Sequence, residues 1–231
     1  MREINRNSVG MLRSGANFNS LRRATIEFIY RSLQEWRDDL TRDHEEIEER
    51  LNIQLSKFLN ASARQSFPMV QFNREEFQFK NRRVDMSVTP IEPQRIESTT
   101  FSIYEPFMVA ECKRLPAPSN DREFEYITGC DKLTGGIQRF KHGLHGSKHE
   151  ESVMIGYIQK DSVCKWHGLI NEWIDALAEH RILDSSCKWM PSEKLQVDAF
   201  GTQTARCRSL HPRKNSITEN ITIHHLWIVM H

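Results

Sequence analysis

Asp85, Glu111 and Lys113 are the residues in this sequence best suited to chemistry. Glu111 and Lys113 stand two apart in the run Phe107-Met108-Val109-Ala110-Glu111-Cys112-Lys113-Arg114-Leu115. Asp85 stands in the earlier run Arg83-Val84-Asp85-Met86-Ser87-Val88. In a strand, residues i and i+2 share a face, so Glu111 and Lys113 project together with Val109, and Cys112 projects the other way. A same-face acid and amine at the end of an apolar run is a poor way to build a core strand. It is a sensible way to build a divalent-metal site with an ammonium beside it. Two hard carboxylates suit Mg²⁺ or Mn²⁺, which keep several waters. Such an ion acidifies a bound water and neutralises charge at a phosphorus centre. The ammonium could orient or activate the attacking water, or stabilise the added negative charge. The Cys112 carbonyl is a further candidate ligand.

The elements that must hold these residues can be read from periodicity. Residues 1–18 form a polar lead-in. Asn19 to Leu40 has a helical apolar arc of Leu21, Ile26, Phe28, Ile29, Leu33 and Trp36. Thr41 resembles an N-cap for a second helix running to about Ala63, with Ile47, Leu51, Leu55, Phe58 and Leu59 on its face. With no Gly or Pro between them, the two could also be one bent helix. Met69 to Phe79 alternates as a half-exposed strand, Asn81-Arg82 reads as a turn, and Arg83 to Val88 as a second strand. Thr89 to Glu97 reads as a loop. Phe101 to Tyr104 leads into the strand ending at Lys113, which Pro116 and Pro118 stop. Glu123 to Leu144 reads as a helix interrupted at Gly135-Gly136, Val153 to Gln159 as a strand, and Trp166 to Leu183 as a helix. Leu195 to Phe200, Thr204 to Leu210 and Ile221 to Met230 close the chain as strands. This order implies an α/β fold, a mixed central β-sheet flanked by helices.

Length and composition narrow the class. At 231 residues, 38% hydrophobic and 27% charged, the chain suits one sizeable soluble α/β domain and not a disordered one. Lysine and arginine (32) balance aspartate and glutamate (31), so any nucleic-acid surface must be a local patch. The first residues lack a signal peptide's apolar core, and no apolar run is long enough to span a membrane. The five cysteines show no CxxC pair, which implies reduced thiols in a cytosolic protein.

An aspartate on one strand followed by an apolar strand ending in Glu-Xaa-Lys resembles the PD-(D/E)XK nuclease superfamily, the restriction-endonuclease-like fold. The matching residues are Val84-Asp85 and Val109-Ala110-Glu111-Cys112-Lys113, with Val84 where many members have proline. The resemblance covers roughly residues 41–160. It implies a nuclease-like domain over 41–231, with 1–40 as an N-terminal helical extension. It also implies a Mg²⁺- or Mn²⁺-dependent phosphodiesterase acting on DNA, or less often RNA. A glutamate from the preceding helix often joins the site: Glu48 fits first, Glu45 second. A glutamine on the following helix matches Gln138, with Arg114, Arg139, Lys141 and His142 placed to meet phosphates. A chain this short, with no separate DNA-reading module, is expected to act as a homo-oligomer or in a larger complex. Defence against foreign DNA is an expectation by family analogy.

Blander readings stand beside these. Glu111 and Lys113 could form a surface ion pair worth under about 1 kcal/mol. Glu48 could be an ordinary helix carboxylate, and Gln138 a solvated one. His224 and His225, adjacent in a strand, point opposite ways and do not make a metal pair. Cys112 reads as a buried small residue rather than a nucleophile. The contrasting function is a non-catalytic binding or scaffold protein that has kept the fold. Basic groups converging around Asp85 and Glu111 would favour the enzyme; scattered ones would favour the scaffold.

Overall fold

The computed structural model describes residues 20–78, 82–214 and 216–231. The polar lead-in, Phe79 and Asn81 lie outside the described residues. A seven-stranded sheet forms the centre, in the order β1-β2-β5-β6-β9-β8-β7. These strands are β1 (Val70–Phe77), β2 (Arg83–Pro90), β5 (Met108–Leu115), β6 (Glu151–Ile158), β7 (Gln196–Phe200), β8 (Thr204–Pro212) and β9 (Asn220–Val229). β5, β6 and β9 run parallel; every other neighbouring pair is antiparallel. The sheet is therefore mixed. Its parallel strands are covered on both faces, which is why Val153-Met154-Ile155 and Leu226-Trp227-Ile228 are continuous apolar runs.

Two helices cover one face. α1 (Ser20–Asp38) and α2 (Glu48–Ser66) bury Ile29, Leu33, Trp36, Leu51, Leu55 and Leu59 against Met86, Met108, Ala110 and Ile155. The stretch read as an N-terminal extension thus shares the sheet's own core. The other face is covered by α3 (Gly136–Lys141) and α4 (Val163–Ala178), which pack Ile137, Phe140, Ile170 and Ile174 on Val109, Met154 and Trp227.

Several boundaries differ from the sequence reading. Thr41 does not open α2, and the two helices are not one. Thr41 instead sits in a turn, its amide and hydroxyl donating to Asp39 Oδ1 at 2.8 and 2.7 Å. The helix begins seven residues later, so Glu48 is its first residue and projects toward the end of β5. Residues 89–97 are not all loop: β2 runs to Pro90, and β3 (Gln94–Ile96) pairs with β4 (Thr99–Phe101) as a small second sheet. The helix expected over 123–144 shrinks to 3₁₀ turns at Asn120–Tyr126 and Cys130–Lys132 and the six-residue α3. Gln138 explains this. Its Oε1 accepts from the Gly129 and Gly135 amides at 3.0 and 3.2 Å, and its Nε2 donates to the Cys130 carbonyl at 2.5 Å. The side chain thereby satisfies loop groups that helical bonds would otherwise have to satisfy. Gly135 is needed there, because a Cβ would lie 2.2 Å from Thr128 Cα. α4 ends at Ala178, and His180 at φ +59° turns the chain away before Leu183.

A buried polar chain ties the C-terminal strands to this helical layer. Trp227 Nε1 donates to Tyr126 Oη (2.8 Å), which meets His225 Nδ1 at 2.8 Å. His225 Nε2 meets Ser209 Oγ (2.7 Å), and Ser209 Oγ meets His211 Nε2 at 2.6 Å. His211 Nδ1 then meets Glu193 Oε2 (2.6 Å), which also receives the Lys141 ammonium from α3. Both ends have fixed roles: an indole only donates and a carboxylate only accepts. With both imidazoles kept neutral by burial, the carboxylate end assigns every proton in between. Tyr126 donates to His225, the His225 Nε2–H to Ser209, Ser209 to His211, and the His211 Nδ1–H to Glu193. Both imidazoles are neutral. Burial holds His211 and His225 below the usual imidazole range, and the bonds from His211 and Lys141 hold Glu193 low despite its burial.

Candidate functional site

The three residues singled out by type converge where β2 and β5 part. Their ladder pairs Val88 with Met108, Ser87 with Val109 and Met86 with Ala110. One further step would set Asp85 opposite Glu111, but the ladder stops. Asp85 Oδ2 instead accepts the Cys112 amide at 2.8 Å, filling the gap with a carboxylate. Lys113 Nζ lies 3.2 Å from both Glu48 Oε1 and Glu111 Oε1. The second oxygen of Glu48 accepts the Arg114 amide at 3.0 Å, capping the strand. Starting α2 at Glu48 is what brings this carboxylate to the strand end. Glu45 meanwhile accepts from the Glu46 and Ile47 amides and reaches Arg50.

The electrostatics are those of an acid-rich pocket closed around one ammonium. Glu111 is 1% exposed. Burial alone would raise its pKa, but Lys113, His145 and Arg139 together hold it well below the carboxylate range. Lys113 is likewise held above the usual ammonium range: burial opposes its charge, and Glu111, Glu48 and Asp85 outweigh burial. Asp85 goes the other way. Desolvation first and the Glu111 charge second push it up to about 8, against the pull of Lys113 and the Cys112 amide. Near neutral pH it holds a proton where a cation could otherwise stand.

Sequence reasoning missed His145. Fully buried, it sets Nδ1 3.1 Å from Glu111 Oε2. It follows α3 with no periodic or motif signal, so only the fold reveals it. Arg139, read as a phosphate contact, instead places Nη1 2.5 Å from Glu111 Oε1.

Two readings require correction. Lys141 is buried, paired with Glu193 and 4.2 Å from the centre of the Trp189 ring, so it is not available to a phosphate. Gln138 is fully buried, bracing the loop before α3 rather than reaching the carboxylates. The remaining basic groups are also engaged locally. Arg114 bonds Gln159 at 2.7 Å, and His142 Nε2 lies 3.1 Å from Ser186 Oγ. Arg213 donates to the His145, Gly146 and His149 carbonyls. Arg206 and Arg208 pair with Glu27 and Asp198 beside α1 and β7, away from β5. The Cys112 thiol, whose pKa burial raises well above its usual value, is inert core.

Among the described residues, no three His, Cys, Asp or Glu side chains are grouped as a ready-made metal cage. A hard divalent ion does not need three, since it keeps waters on most of its positions. The donor set fits such an ion on two counts. Glu111 Oε2 is buried without a hydrogen-bond partner among the described residues, and Asp85 is short of positive charge. Asp85 and Glu111 are the residues that could hold it, with Glu48 at the rim. Among the described residues, no helix is long and apolar enough to cross a membrane. Comparison with protein-family models, curated proteins and solved structures found no match.

Proposed function

We propose that the chain is a metal-dependent phosphodiesterase of the restriction-endonuclease-like fold, cleaving DNA or, as the lesser expectation, RNA. One observation carries the reading: Lys113 is held between Glu48 and Glu111 at 3.2 Å each, beside Asp85 on the neighbouring strand. The element order supports it too. A helix bearing Glu48 precedes two antiparallel strands, the second bearing Asp85. The Glu111-Xaa-Lys113 strand, a short helix and a parallel strand follow.

Asp85 and Glu111 would hold Mg²⁺ or Mn²⁺, which when bound supplies an acidified water and charge neutralisation at phosphorus. Lys113, kept charged chiefly by Glu111 and Glu48, cannot serve as a base at neutral pH; it orients the nucleophile or stabilises the developing negative charge. Glu48 fixes that ammonium and, through the Arg114 amide, the strand end that presents it. Arg139 neutralises Glu111. Action in a homo-oligomer or a larger complex, in the cytoplasm and in defence against foreign DNA, completes the proposal.

The test is digestion of plasmid, linear duplex, single-stranded DNA and RNA with Mg²⁺, Mn²⁺ or EDTA. Metal-dependent cleavage lost in both Asp85→Ala and Lys113→Ala supports the reading; wild-type cleavage that survives in either variant refutes it. The local engagement of Arg213, Lys141 and Arg206 favours a second reading, a scaffold that keeps the fold without cleavage. Tight nucleic-acid binding without hydrolysis under every metal condition would select it.

A further inference from the structure

Lysine and arginine account for only one oxygen of Glu111. Oε1 receives Lys113 and Arg139. Oε2 has no hydrogen-bond partner among the described residues, although His145 Nδ1 is 3.1 Å away, an ion pair only when the imidazole is charged. Among the described residues, both ring nitrogens of His145 also lack hydrogen-bond partners, in a side chain with no solvent exposure. The two atoms are close but not aligned for a hydrogen bond. Buried polar groups of this kind normally find partners, so the pair needs an explanation.

A shared cation provides one. Two ligands about 2.1 Å from one octahedral ion, at right angles, lie about 3.0 Å apart. A carboxylate oxygen and an imidazole nitrogen at 3.1 Å, not aimed at each other, match neighbouring positions on one ion. We propose that His145 Nδ1 is a metal ligand beside Glu111 Oε2, making the site selective for imidazole-accepting ions such as Mn²⁺ or Co²⁺ over Mg²⁺ or Ca²⁺. This deepens the metal-dependent reading above and rests on it.

The fold holds His145 firmly enough for the role. The Leu144 and His145 amides both donate to the Arg139 carbonyl, and Arg213 Nη2 donates to the His145 carbonyl at 3.2 Å. The imidazole stands edge-on to Phe140 with ring centres 5.9 Å apart. Gly146, at φ +56°, lets the loop close on the sheet; a Cβ there would come 3.0 Å from Val109 Cγ2. Arg139, bonded to Glu111, is thus also the backbone anchor for His145.

The test uses the full chain with Mn²⁺ alone. Electron-spin-echo spectroscopy reads whether bound Mn²⁺ carries a nitrogen ligand, and calorimetry reads Mn²⁺ and Mg²⁺ affinity. The inference expects nitrogen coupling in the wild type, kept in His149→Ala and lost in His145→Gln. His145→Gln should weaken Mn²⁺ at least about tenfold and Mg²⁺ less. Mn²⁺ bound without nitrogen coupling overturns the inference and leaves the carboxylate reading standing. No Mn²⁺ binding by the wild type overturns both. Should His145→Gln fail to fold, the wild type is compared with and without nitrogen-15 labelling of its histidines. Nitrogen coupling that changes with the label supports the inference; coupling that is absent or indifferent to the label overturns it.

Discussion

Replacing Ser209 by alanine should be among the costliest single-atom deletions in the protein, although Ser209 is small and far from Glu111. Its hydroxyl donates to His211 Nε2 and accepts from His225 Nε2, at 2.6 and 2.7 Å. Alanine leaves one buried acceptor and one buried donor unpaired. Each orphan costs about 1–3 kcal/mol, so Ser209→Ala should lose about 2–6 kcal/mol. That is a large part of a typical stability of about 5–15 kcal/mol. With a urea slope of about 3 kcal/mol/M for a chain this size, the midpoint should fall by about 1–2 M. Ser152 supplies the control. It is also a fully buried serine on the sheet, but its hydroxyl has no hydrogen-bond partner among the described residues. Ser152→Ala should therefore change the midpoint little or raise it. Imidazole nitrogen shifts would check the proton assignment directly, with His225 protonated at Nε2 and His211 at Nδ1. Equal midpoints for the two variants, or either histidine in the other tautomer, would refute the one-way chain.

Gly156→Ala should destabilise by about 1–3 kcal/mol or more through overpacking. A Cβ would sit 2.4 Å from Trp227 Cδ1, and Tyr126 holds that indole in place; thermal melting near the wild-type temperature would contradict this. Asp85→Asn should stabilise the metal-free protein increasingly as pH rises from about 4 to about 8. Over that window the folded wild type keeps a proton that the unfolded chain has released, so wild-type stability falls with pH; a melting difference flat across the range would oppose it. On the acid side, buried neutral histidines predict the reverse slope. His149 titrates at about 3 when folded and 6.5 unfolded, with His211 and His225 also shifted down. Between pH about 6.5 and its folded value, His149 should therefore cost about 1.4 kcal/mol per pH unit, and His211 and His225 act in the same direction. Urea midpoints unchanged between pH 6.5 and 5 would argue against neutral burial.

What the sequence disclosed and what it hid divide along physical lines. Strand alternation places Glu111 and Lys113 on one face, and the structure brings both beside Asp85. Glu48 was legible from its place in an apolar arc, but the reason it reaches Lys113 was not. The Asp39–Thr41 turn delays α2, and no residue pattern announced that delay. The region 123–144 misled because its apolar spacing is helical while Gln138 satisfies the loop backbone from the side, a tertiary effect without a local signature. Lys141 read as a phosphate contact because composition cannot show that Glu193 awaits it. His145 was invisible for the same reason: only the approach of the loop after α3 to β5 gives it a neighbour.

The sheet's outer rim carries one more consequence. β7 is an edge strand, and its pairing with β8 slips between Val197 and Ala199, leaving Asp198 as the extra residue, 3.5 Å from Arg208. An antiparallel copy of β7 centred on Asp198 would set carboxylate against carboxylate across a strand already bent by its bulge. The exposed Val197 and Phe200 beside it make this rim sticky enough to need such a guard. Asp198→Val would remove the charge while leaving the open amides and carbonyls, turning a blunted rim into a seed for end-to-end association and precipitation.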